Sequence, residues 1–112
     1  MTGRLRSDVL VGAIVRTTQS KFAFAYVRHR GHDAGGVIHL IIEEDGGYAH
    51  YAETQTADGA LAWRCQKRQA DIRDIDARLE KEKSFDRDLW IIELEGGVTL
   101  SDLPGVLLDD GR

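Results

Sequence analysis

VIHLIIEEDGGYAHYAE, residues 37–53, decides how the rest of the chain is read. Asp45-Gly46 suits the positive φ angles of a two-residue type I′ turn, and the residues on either side have strand character. Pairing Glu44 with Gly47 sets Glu43 opposite Tyr48, Ile41 opposite His50 and His39 opposite Ala52. Because strand side chains alternate, Ile38, Leu40, Ile42, Ala49 and Tyr51 then share the other face, which is the expected core face. His39 and His50 become diagonal neighbours on a half-exposed face, with Glu43 further along.

Working outward, Phe22 to Arg28 alternates Phe22, Phe24 and Tyr26 with Ala23, Ala25 and Val27, a strand with one demanding face and one close-packed face. Ala60 to Lys67 alternates again, placing Leu61, Trp63 and Cys65 together. Leu89 to Glu95 is apolar at 89, 90, 91, 92 and 94, as expected of a strand inside a sheet. Two helices complete the set. Asp8 to Thr18 has Leu10, Ala13, Ile14 and Thr17 at helical spacing, with Ser7 as N-cap. Its Val9, Val11 and Val15 widen the apolar surface, so this helix needs covering on more than one side. Asp71 to Lys83 carries the narrow stripe Ile72, Ile75 and Leu79.

The expected fold class is α+β, in the order α-β-β-β-β-α-β, with a mostly antiparallel sheet and two helices packed on one face. Residues 1–100 are expected to form a single domain. Val98 to Leu100 could add a short strand, and residues 101–112, with Pro104, two glycines and three aspartates, read as a partly disordered tail.

Composition bounds the function. With 42% apolar and 30% charged residues, the 112-residue chain has the make-up of a globular domain with a real core. Val9 to Val15 is too short to span a bilayer, and one cysteine cannot form an internal disulfide, so a cytoplasmic location is expected and no membrane association. Residues 1–32 hold six bases and one acid (+5), residues 33–62 six acids and no Lys or Arg (−6), and residues 63–112 nine bases and twelve acids (−3), giving −4. Such asymmetry suits an anion-binding face or self-association between opposite patches, whereas a pI near 5.5 argues against general nucleic-acid binding.

The densest group of donors is the loop Arg28, His29, Arg30, Gly31 and His32, a candidate anion site for phosphate or nucleotide. It lacks the spacing of a Walker loop or dinucleotide fingerprint, and a solvated turn is the simpler reading. His29, His32 and Asp33 invite a zinc reading, but a structural site wants four ligands, and His39 and His50 sit on a separate hairpin. No metal is expected, no residue pattern implies a cofactor, and the histidines are expected to face solvent. Cys65 has basic neighbours that would activate an exposed thiol, but alternation turns it inward. Asp86 and Asp88 read as turn formers. No residue earns a catalytic role.

Two stretches together carry a resemblance: Arg4-Leu5-Arg6-Ser7-Asp8 leading through the first helix to Arg16, and Phe85-Asp86-Arg87-Asp88-Leu89-Trp90 followed by Ile91-Ile92-Glu93. With Gly31, Asp33, Ala34, Gly35 and Val37 between them, they resemble a family of short alphaproteobacterial proteins catalogued only as a domain of unknown function. The chain departs from that pattern at His32 and over residues 101–112. The resemblance implies a bacterial cytoplasmic origin and supports the element order, but supplies no catalytic residue. The first functional expectation is a non-enzymatic interaction or homodimerising module. The alternative is a small anionic-ligand binding protein or enzyme using Arg28, His29, Arg30 and His32.

Overall fold

The computed structural model describes residues 4–108. Helix α1 (Ser7–Ser20) is followed by β1 (Phe24–His29), β2 (Ile38–Glu44), β3 (Gly47–Gln55), β4 (Leu61–Ala70), α2 (Ile72–Phe85), β5 (Trp90–Glu95), a 3₁₀ turn at Leu100–Asp102 and β6 (Val106–Leu108). The strands form one six-stranded sheet in the order β1-β5-β2-β3-β4-β6. Pairs β1/β5, β2/β3 and β3/β4 are antiparallel, whereas β2/β5 and β4/β6 are parallel, so the sheet is mixed. The α+β expectation holds, as does the interior place of β5: its parallel pairing with β2 follows from the crossover through α2.

The β2/β3 register matches the pairing expected from the turn, from Glu44↔Gly47 to His39↔Ala52. The turn itself is not type I′, because Gly46 and Gly47 take positive φ (84° and 147°) and Asp45 does not. One face of β2 (Ile38, Leu40, Ile42) packs with Leu10, Val11 and Ile14 of α1 and with Trp63, Trp90, Ile92 and Leu94. The alternate residue Ile41 packs with Ile75 and Leu79 of α2 and with Leu89 and Ile91. The two helices therefore cover opposite faces, correcting the expectation that both pack on one. Both faces of β2 and β5 are apolar enough to require cover, and one helix can bury only one of them.

Local expectations also shift at the ends. Ser7 is not the N-cap of α1 but its first residue: Arg6 precedes it, and the buried Ser7 hydroxyl donates to the Gly36 carbonyl at 2.6 Å. Burial of Leu10, Val11 and Ile14 outweighs the β-branched character of the segment. At α2 the Asp71 side chain accepts from the Arg73 amide at 2.9 Å, a conventional cap. The expected strand at Val98 to Leu100 does not form. Of the segment expected to be a partly disordered tail, Val106–Leu108 joins the sheet as β6 beside β4, and the stretch before it is packed down, with Leu103 buried and the Trp63 indole N–H donating to the Pro104 carbonyl at 2.8 Å. The remainder of that expected tail, residues 109–112, lies outside the described residues. Among the described residues no helix is long and apolar enough to cross a membrane.

Candidate functional site

Arg28 and His29, expected in a loop, are the last residues of β1, and the loop proper begins at Arg30; all four candidate side chains have partners within the chain. Arg28 Nη1 lies 2.7 Å from Asp76 Oδ1 of α2 and 3.2 Å from Glu93 Oε1 of β5. Nδ1 of His29 sits 2.8 Å from the Leu89 carbonyl, which can only accept, so this nitrogen carries the proton. Arg30 pairs with Asp33 at 2.8 Å and lies over the Trp90 ring, 5.1 Å from its centre. His32 accepts at Nδ1 from the amides of Ala34 and Gly35 (3.3 and 3.2 Å), and its own amide donates to the Asp88 carbonyl at 2.9 Å. The structure thus does not aim Arg28, His29, Arg30 and His32 at one point. Each arginine already has a carboxylate, and two of the loop amides that could meet an anion are spent on His32.

The other singled-out residues also have internal partners. Among the described residues no group of three or more His, Cys, Asp or Glu side chains is placed to hold a metal ion. Cys65 is half-buried and packs against the α1-side core, with Sγ 3.7 Å from the Lys67 carbonyl. Asp86 Oδ1 accepts from the Asp88 amide at 3.0 Å, as a turn former does.

His39 and His50 correct the sequence reading most sharply. They are 6% and 1% exposed, not solvent-facing, because α2 lies over their side of the sheet. Nδ1 of His39 and Nε2 of His50 are 2.9 Å apart, and the buried Nδ1 of His50 has no hydrogen-bond partner. Burial, then the neighbouring His39 and Arg78, pushes His50 down to about 3, and burial also lowers His39. At neutral pH the pair is uncharged and acts as a polar tie inside an apolar layer.

The open surface lies at β1, the outer strand next to β5. Phe22 is 94% exposed, Phe24 60%, Tyr26 49% and Val27 46%. The larger side chains of the alternating segment, expected to make up its demanding face, are thus the ones left uncovered, while Ala25 packs against the α1-side core. By register Phe24 stands opposite Glu95 and Tyr26 opposite Glu93, so an aromatic row runs beside a carboxyl pair. Glu93 is pushed up to about 7, first by burial, then by the hydrogen bond and charge of Glu95, with Arg28 opposing. The Tyr48 hydroxyl donates to Glu95 at 3.4 Å. The alternation Glu93-Leu94-Glu95 was the available sequence signal for this pair. Its meaning depended on knowing that β1 is the neighbouring strand.

A family model described as "Protein of unknown function (DUF1491)" matches residues 5–99. A crystal structure of a DUF1491 family protein from Caulobacter crescentus CB15 superposes with a TM-score of 0.80 at 26% identity, covering 92% of this chain and 99% of that one. The solution structure of a protein from A. tumefaciens gives 0.81 at 26% identity, covering 95% and 98%. A search of curated proteins finds no match. Since the family model spans most of the chain and each solved relative covers more than nine-tenths of it, the chain belongs to the DUF1491 family, whose function is unknown.

Proposed function

We propose that this chain is a non-enzymatic interaction module that self-associates through β1. The observation that carries this is the outer strand itself, with Phe24, Tyr26 and Val27 each about half exposed and Phe22 almost wholly so. An outer strand presents unpaired backbone donors and acceptors, and natural sheets usually shield such an edge with charge, proline or cover. Here the edge is aromatic over residues 22–26, a composition that favours docking over shielding. Anion binding at Arg28, His29, Arg30 and His32 is the weaker reading, because it would require two ion pairs to open first. The single cysteine supports a cytoplasmic setting.

Light scattering over a concentration series tests the reading, together with amide exchange across residues 24–27. Mass should rise with concentration towards twice 12.5 kDa, with β1 amides becoming protected in step. Phe24→Lys should hold the protein at the monomer mass. A wild-type chain that stays monomeric throughout, with β1 exchange independent of concentration, sinks the reading.

A further inference from the structure

Resting on that reading, we infer that the occupant of the β1 edge is a second copy of this chain, paired antiparallel about a two-fold axis at Tyr26. This joins two six-stranded sheets into one continuous sheet.

Parity restricts the registers. With the axis perpendicular to the sheet, the α1 side of one copy continues the α1 side of the other. Opposed residues must then point to the same face, and so differ by an even number. Centring on Ala25 pairs only Phe24 to Tyr26 within the strand, because β1 begins at Phe24 and Phe22 before it has φ of 60°. Centring on Val27 puts the irregularity between Val27 and His29 in the middle of the ladder from both copies. Centring on Tyr26 uses residues 24 to 28 and moves the irregularity at Arg28 to the two ends of the ladder: Tyr26 meets Tyr26, Ala25 meets Val27, and Phe24 meets Arg28 of the other copy.

Charge favours the same arrangement. One end of β1 has Glu95 beside Phe24, and the other carries Arg28 and Arg30. An antiparallel two-fold sets Arg28 of each copy, which keeps its own Asp76 and Glu93 partners, beside the aromatic face of Phe24 of the other. A parallel pairing would set arginine against arginine.

The size of the contact is consistent with a modest dimer. At about 200 Å² per aromatic side chain, the exposed parts of Phe24 and Tyr26 come to about 220 Å² per copy, and Phe22 beside the ladder raises the upper bound to about 400 Å² per copy, about 800 Å² in all before the backbone is counted. Standard interfaces bury about 1,600 Å², so association should be weak and concentration-dependent.

The test uses the full chain with Cys65→Ser as background. Tyr26→Cys should give a disulfide-linked dimer on mild oxidation, since directly opposed residues in an antiparallel pair have Cα atoms about 4.5–5.5 Å apart, within disulfide reach. Mixing a Phe24→Cys copy with an Arg28→Cys copy should give the linked heterodimer, whereas Asp58→Cys in the β3–β4 turn should give none. If the wild type dimerises but neither the Tyr26→Cys nor the mixed pair crosslinks above the Asp58→Cys control, the register is wrong and the interaction reading survives. If light scattering shows a monomer at every concentration, both fail. Crosslinking of only the mixed pair supports the register and means that cysteine at 26 perturbs the centre, which light scattering of reduced Tyr26→Cys would show as lost dimer.

Discussion

Lowering the pH from 7.5 to 4.5 should destabilise this protein through His50, and the size of the loss follows from its burial. The free imidazole titrates near 6.5, whereas in the fold His50 is held down to about 3. The unfolded chain therefore takes the proton first, so the contribution is fully present above about pH 6.5 and is lost as pH falls toward 3. At about 1.4 kcal/mol per pH unit, the loss between pH 7.5 and 4.5 comes to roughly 2.5 kcal/mol, against a total stability of about 5–15 kcal/mol for a domain. Urea unfolding of wild type and His50→Asn at both pH values isolates the effect, because acid protonation of the carboxylates is common to the two. The variant should be weaker at pH 7.5, having lost the bond to His39, and should lose roughly 2.5 kcal/mol less than wild type on acidification. Parallel losses in the two proteins would refute the assignment of a buried neutral His50.

Three further outcomes follow from named contacts. Glu53→Ala should cost about 3–5 kcal/mol, because Glu53 is a nearly buried ion-pair partner of Arg4 and also accepts from the Ile38 amide at 2.9 Å; an unchanged urea midpoint would contradict this. Gly36→Ala should destabilise by about 1–3 kcal/mol or more, since a Cβ there would lie 2.1 Å from the Asp88 carbonyl oxygen and 2.9 Å from the Trp90 ring; a thermal midpoint within error of wild type would show that the loop yields freely. In carboxyl-detected NMR, Glu93 should titrate near 7, and Glu95→Gln should lower that value while burial keeps it above the ordinary 4.5; no movement would remove Glu95 as a cause.

Local pattern was enough to locate most elements and one register. The hairpin pairing, the α2 stripe of Ile75 and Leu79 and the inward side of Ile38, Leu40, Trp63, Cys65 and Trp90 all follow from alternation and helical spacing, because those periods are set by backbone geometry. What alternation could not say is which face of a strand another element covers. His39 and His50 share a side by register, but only the crossover that lays α2 across that side makes it interior. Alternation marks Phe24 and Tyr26 as one demanding face, but only the placing of β1 as an outer strand, with no neighbour beyond it among the described residues, leaves that face uncovered. The basic loop is the same case: the sequence brings Arg28, His29, Arg30 and His32 together, but Asp76, Glu93 and Leu89, which engage Arg28 and His29, come from segments 48 to 65 residues away. Periodicity is a property of neighbours along the chain, whereas burial and ion pairing are settled by distant segments, and only the packed sheet and its two helices decide which of those meet.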